Sequence, residues 1–225
     1  MGEKNIQLCE FLKILENSGV NYWVESGTLL GLWRDGSLIS HDKDIDIGVW
    51  TDQIDLLNII ELKIKGEYTV HYYYFKNKLY KAKFVPLAGY NLRKIDINFY
   101  FHWDEFACCY QSLFFKKDNL IFYYFMAFIE YAFTSHYIKR KTKIFFGKFP
   151  LSLLRKHGFW MIKSHHFSKR DELDYNGTKV KIPSSTEEYL ESKYGDWKSS
   201  RKDWNFMTDD KSLNRSVPRE LLDIA

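Results

Sequence analysis

The chain has 225 residues, of which 45% are hydrophobic, 28% charged and 18% aromatic, with only four prolines and 12 glycines. That length buries a real core, and the composition excludes a disordered, collagen-like or linker-dominated protein. The net charge of +4 is too small to indicate a nucleic-acid partner, and none is expected.

The N-terminal residues lead into an amphipathic stretch without a signal-peptide pattern, which sets the expectation of a cytoplasmic protein. Leu8, Phe11, Leu12 and Leu15 recur at helical spacing, and Gly19 marks the stop. A short strand follows at 22–24, then a small-residue turn and one or two helical turns over 26–36. Residues 45–50 alternate as a strand. Thr51 is placed to cap a helix carrying Ile54, Leu57, Ile60 and Ile64, which ends near Gly66. Strands over 68–75 and 79–85 form a hairpin around Lys76-Asn77-Lys78, and 94–101 is a further strand. Aromatic density hides any period between about 110 and 165. Within that stretch the most apolar run, 121–133, contains Glu130 and falls short of the ~20 residues a spanning helix needs. A polar break at 174–177 precedes a last helix over 186–193. The order predicts an α+β chain, one domain over 1–225, with a core at about 1–110 and a basic, aromatic-rich elaboration at about 111–225.

Charge is unevenly spread. Residues 131–170 hold ten Lys or Arg, Lys139, Arg140, Lys141 and Lys143 among them, and no acid, so the remainder is net acidic. A solvated face is the default for such a run, but forty residues without one acid point to an anionic partner: a glycan, a lipid-linked acceptor or the inner face of a membrane. The three cysteines, Cys9, Cys108 and Cys109, give no disulfide framework. With His102 the adjacent pair offers three zinc ligands where a structural site needs four.

Two strands carry the chemistry. In Asp44-Ile45-Asp46-Ile47-Gly48, alternation puts Asp44 and Asp46 on one face, about 7 Å apart at ~3.3 Å per residue, with the isoleucines on the other. Carboxylates that close repel unless a cation lies between them. In Ile95-Asp96-Ile97-Asn98 the pattern returns, and if the strands are neighbours Asp96 becomes a third carboxylate. A single Asp-x-Asp is often only solvated sheet, but two such strands downstream of Gly27-Thr28 are a more specific signal.

The spacing of Gly27-Thr28 ahead of this acidic strand resembles the polymerase beta-like nucleotidyltransferase superfamily. The longer string from Ser26 to Gly36, followed by Asp42-Lys43-Asp44-Ile45-Asp46-Ile47-Gly48, resembles the LicD/fukutin phosphotransferases. So does a second block, Val180-Lys181-Ile182-Pro183, a helix with Tyr189 and Leu190, then Tyr194-Gly195-Asp196-Trp197. Lys43 and Ser40-His41 depart from the family pattern, and 110–165 is unmatched. The resemblance implies a nucleotidyltransferase-type mixed sheet flanked by helices. It also implies transfer of a phosphorylated alcohol, phosphocholine or a polyol phosphate, from a CDP-activated donor to a hydroxyl of a cell-surface glycan precursor. CMP would leave.

In that reading Asp44, Asp46 and Asp96 hold Mg²⁺ or Mn²⁺, and Asp96 could instead deprotonate the acceptor. Gly27, Thr28 and Arg34 would bind the donor phosphates. His41, Tyr194 and Trp197 are substrate-contact candidates, with loop exposure or core packing as their ordinary alternatives. The competing functions are a nucleotidyltransferase releasing pyrophosphate, a metal-dependent glycosyltransferase, and a binding protein that keeps only the fold.

Overall fold

The computed structural model describes residues 3–113, 156–216 and 218–224. Helix α1 (Glu3–Asn17) buries the predicted stripe of Leu8, Phe11, Leu12 and Leu15, and Phe11 meets Phe84 edge-on at 5.6 Å. It is followed by β1 (Tyr22–Val24), the five-residue α2 (Ser26–Leu30), a π-helical turn at Gly31–Asp35, and β2 (Asp44–Trp50). A 3₁₀ turn (Thr51–Leu56) leads into α3 (Leu57–Lys63). The Thr51 side chain caps nothing here: the tight turn starts from Trp50, and α3 begins only at Leu57, so the expected single helix is two short pieces.

Strands β3 (Tyr68–Phe75) and β4 (Lys78–Pro86) form the expected hairpin. Lys76 and Asn77 both take positive φ at its tip, as a two-residue hairpin turn requires. Then come β5 (Lys94–Trp103), β6 (Phe106–Leu113), β7 (Lys156–Lys163), the four-residue α4 (His165–Ser168), β8 (Arg170–Tyr175) and β9 (Thr178–Pro183). The polar break at 174–177 is the β8–β9 turn, closed by the Gly177 amide donating to Asp174 Oδ1 at 3.2 Å. Helix α5 (Thr186–Tyr194) is not the last, because α6 (Phe206–Asp209), β10 (Leu213–Asn214) and α7 (Arg219–Ile224) follow. Most of the basic run, through Arg155, lies outside the described residues. None of the described helices is long and apolar enough to cross a membrane.

The main sheet is mixed. Its path runs β1-β2-β5-β6-β7-β10, with the β3–β4 hairpin joined through β4 to β5. Strand β2 pairs parallel with β5, while β5 pairs antiparallel with β4 and, beyond residue 100, with β6. Buried helices and loops flank this sheet. On α1, the Gln7 side chain donates to the Arg93 carbonyl (2.7 Å) and accepts from the Arg93 amide (2.9 Å), which pins the helix to the start of β5.

Further along the face that carries the acids, Trp23 stacks on Phe167 at 4.5 Å and meets Trp50 and Tyr100, each at 5.4 Å. This cluster depends on Gly48. The Trp23 indole lies where a Cβ on Gly48 would stand, so only glycine lets the ring close over the strand. Both partners are buried and neither can step aside. Gly48→Ala should therefore destabilise the fold by about 1–3 kcal/mol, the usual cost of overpacking. Chemical denaturation should show a lower midpoint with an unchanged m-value; an unshifted midpoint would mean that Trp23 is not locked there.

Candidate active site

The site starts from register. Parallel pairing puts Asp46 opposite Asp96, and β4 sets Lys83 on the far side of Asp96. Paired residues share a face, so one row reads Asp46, Asp96, Lys83, and the next reads Gly48, Asn98, Lys81. Asp96 is only 2% exposed. Its Oδ2 receives Lys81 Nζ at 2.6 Å and Lys83 Nζ at 3.3 Å, while its buried Oδ1 has no hydrogen-bond partner among the described residues.

The turn before α2 is clipped to the same strand on both sides. The Glu25 amide donates to the Asp46 carbonyl (3.2 Å), and the Asp46 amide donates to Thr28 Oγ1 (2.8 Å). Gly27 lets this turn pass close to Asp42, since an added Cβ would lie 2.5 Å from Asp42 Oδ2. Ser26 takes φ +51°, a strained value for a residue with a side chain, and its buried hydroxyl is unpartnered among the described residues. The buried Glu25 carboxyl accepts from Asn98 Nδ2 (2.8 Å) and Tyr100 Oη (2.7 Å), with burial raising its pKa.

Crowding shows in the titration of these acids. Burial pushes Asp44 up to about 6, helped by a hydrogen bond with Asp42 and the fields of Asp96 and Asp42. Asp46 is raised well above the ordinary range, by burial first and then by Asp44 and Asp96. Burial pulls the Lys81 ammonium down, but Asp96, Asp46 and Asp44 together outweigh it and hold it above the usual lysine range. Lys81 is thus the resident counter-charge of three carboxylates.

These groups line a cavity of about 520 Å³. Strands β2, β4 and β5 contribute Asp44, Asp46, Lys81, Lys83 and Asp96 to its wall, and the 26–42 segment adds Ser26, Gly27, Arg34, His41 and Asp42. Other walls come from β7 (Trp160), α5 (Lys193, Tyr194) and the 196–210 stretch, including Trp197, Arg201, Trp204 and Asp210.

Of the residues singled out from sequence, Asp44, Asp46, Asp96, Gly27, Arg34, His41, Tyr194 and Trp197 meet in this cavity. Thr28 does not line it; buried at 2% exposure, it holds Asp46 from behind. Arg34 is paired to Asp35 by two hydrogen bonds of 2.8 Å and donates to the Trp197 carbonyl at 3.4 Å. Cys108 and Cys109 are buried, burial pushing the Cys108 thiol up to about 12, and His102 stacks on Trp50 at 4.0 Å. One further set of potential ligands, His165, His166 and Glu188, has donor atoms within 4.8 Å of one another, and none of the three lines the cavity.

Sequence reasoning missed Lys81, Lys83, Lys193, Asp210 and Glu25. A signal existed for the first two: Lys81 and Lys83 alternate with Ala82 and Phe84, a basic face on the strand before an acidic one. Lys193 also left a trace, four residues after Tyr189 on the buried side of its helix.

The family model described as the LicD/FKTN/FKRP nucleotidyltransferase domain matches residues 19–153. The chain belongs to this family. The match runs through part of the stretch, 110–165, that carried no readable motif, and it ends before the 180–200 block. Mouse ribitol-5-phosphate transferase FKTN is 25% identical over 195 residues, 86% of this chain and 33% of that protein. Mouse ribitol 5-phosphate transferase FKRP is 44% identical over 41 residues, 18% of this chain and 8% of that one. An uncharacterised protein of Rickettsia prowazekii (strain Madrid E) is 38% identical over 76 residues, 32% of this chain and 29% of its own length. These matches span a third or less of each relative. The crystal structure of the lincosamide antibiotic adenylyltransferase LnuA with lincomycin bound gives a TM-score of 0.44 at 12% identity, over 84% of this chain and 85% of that one, too distant to argue from.

The raised acids make a prediction about stability. Asp44 titrates near 6 when folded against an ordinary value of 3.8, so between these values the folded chain holds a proton that the unfolded chain has lost. Its contribution is therefore greatest below the unfolded value and falls as pH rises towards about 6; Asp46 acts in the same direction. In cation-free buffer, the stability of the wild type relative to Asp44→Asn should decline across this window. A difference that stays flat with pH would show that neither burial nor the neighbouring acids raise Asp44 in the folded chain.

Proposed function

We propose that this chain is a phosphotransferase. It moves a phosphorylated small alcohol, a polyol phosphate or phosphocholine, from a CDP-activated donor to a hydroxyl of a cell-surface glycan precursor and releases CMP. The carrying observation is the convergence of Asp44, Asp46 and Asp96 on one cavity wall in a member of this family. The relatives' names, ribitol-phosphate transferases, favour a polyol phosphate as cargo. The cavity volume, about 520 Å³, suits a nucleotide-sized ligand.

Three carboxylates, one of them with a buried oxygen, Asp96 Oδ1, that is unpartnered among the described residues, are a donor set that fits a hard divalent cation. Asp44, Asp46 and Asp96 would hold it, and bound Mg²⁺ or Mn²⁺ would supply charge neutralisation for the donor pyrophosphate and the departing CMP. The chain's own groups do the rest. Lys81 and Lys83 fix Asp96 through Oδ2, leaving Oδ1 free to take the acceptor hydroxyl proton or to ligate. Gly27 brings bare backbone to the cavity wall, and Thr28 acts through Asp46. Arg34, oriented by Asp35, supplies a guanidinium for a phosphate oxygen. Acceptor recruitment by the basic run 131–170 rests on its charge alone.

The purified chain should be incubated with Mg²⁺, a panel of CDP-alcohols and glycan acceptors, and the released nucleotide identified by chromatography. CMP is the expected product. Asp44→Asn and Asp46→Asn should abolish its release in folded protein, and Asp96→Asn should slow it by roughly 10²–10⁴-fold. Pyrophosphate release from a nucleoside triphosphate would make the chain a nucleotidyltransferase, and a nucleoside diphosphate from a sugar nucleotide would make it a glycosyltransferase.

A further inference from the structure

Lys193, near the end of α5, is 1% exposed yet contributes to the cavity wall. A lysine this deep is uncommon unless its charge is matched. Here it is matched only in part. Its Nζ stands 2.8 Å from Asp210 Oδ2, but the pair is not aligned as a hydrogen bond, and neither atom has another partner among the described residues. The other oxygen, Asp210 Oδ1, is already taken by the Ser212 amide (3.0 Å) and hydroxyl (2.6 Å). On another side the ammonium sits 3.8 Å from the centre of the Trp160 ring, a face that attracts cations and accepts no strong hydrogen bond. An ammonium carries three donors, and beyond the Asp210 contact and the Trp160 face this one meets no further acceptor among the described residues.

Burying such a group costs desolvation that an ion pair alone often fails to offset. A purely structural link between α5 and the segment before β10 would be better served by apolar residues of the same volume. What the arrangement provides is a buried positive charge, backed by Asp210 and braced by Trp160, on a side chain that contributes to the wall of a cavity that also holds the carboxylates.

We propose that Lys193 is an anion-binding site that receives a phosphate oxygen, independently of any cation on Asp44, Asp46 and Asp96. Identifying that phosphate with the CDP-linked donor rests on the phosphotransferase reading; the anion site itself does not. Asp210 and Trp160 act through Lys193 as positioning residues: they set where the ammonium stands and do not touch the ligand.

The probe is inorganic pyrophosphate, titrated calorimetrically into the full chain in excess chelator, so that no divalent cation contributes. The wild type should bind, Lys193→Arg should keep most of the affinity, and Lys193→Met should lose about tenfold or more, the scale of one hydrogen bond to a charged group. Because Lys193→Met leaves Asp210 buried and uncompensated, a second variant, Lys193→Met with Asp210→Leu, removes both charges and should stay folded by circular dichroism while binding as poorly. Absence of wild-type binding, or wild-type affinity in a folded variant without the lysine, would overturn the proposal. Where CMP release is measurable, Lys193→Met should raise the donor KM more than it lowers kcat; an unchanged KM would overturn the donor assignment. If no CDP-alcohol is turned over, the phosphotransferase reading fails while the pyrophosphate result still decides the anion site.

Discussion

Everything in the site follows from one electrostatic problem: Asp46 and Asp96 stand side by side across a parallel strand pair, with Asp44 two residues away on the same face. Isolated carboxylates so placed would repel and protonate. The chain answers with β4, whose Lys81 and Lys83 arrive on the other side of Asp96. The compensation is incomplete, since Asp44 and Asp46 remain raised and Asp96 Oδ1 has no hydrogen-bond partner among the described residues. This residual demand for positive charge at one spot on a cavity wall is what supports the proposal of a cation there.

The neighbouring structure keeps those carboxylates in place. Thr28 and Glu25 clip the 25–28 turn to the backbone of Asp46 on both sides, which ties this turn to the acidic strand. One row further along, Gly48 admits Trp23, and the buried Glu25 locks Asn98 and Tyr100. The same sheet face therefore passes from charged and cavity-lining to aromatic and packed within two residue pairs. That gradient gives the carboxylates a rigid floor, and a catalytic group must be held to within fractions of an ångström to be useful.

What the sequence discloses about this site is what period-two alternation can disclose. Ile45 and Ile47 against Asp44 and Asp46, and Ile95 and Ile97 against Asp96 and Asn98, name both faces of both strands before any coordinates, and the 26–36 turn is punctuated by its glycines. Pairing is a different matter. Nothing local says that β2 and β5 are neighbours, or that β4 presents Lys81 and Lys83 to Asp96, because those are contacts between distant segments. Lys193 and Asp210 were hidden for the same reason: a buried lysine resembles a surface one until its partner is known. Thr51 misled because a good capping residue opens a 3₁₀ turn, and the 174–177 break concealed a hairpin whose β8 strand, Arg-Asp-Glu-Leu-Asp-Tyr, is mostly polar and carries apolar residues only at Leu173 and Tyr175.

The most direct test of the central claim is the position of a bound cation. Crystals of the full chain soaked in Mn²⁺ and measured for anomalous scattering should show manganese among Asp44, Asp46 and Asp96, on the Oδ1 side of Asp96, with Lys81 Nζ still at Oδ2. Manganese bound only elsewhere, for example at His165, His166 and Glu188, would contradict it.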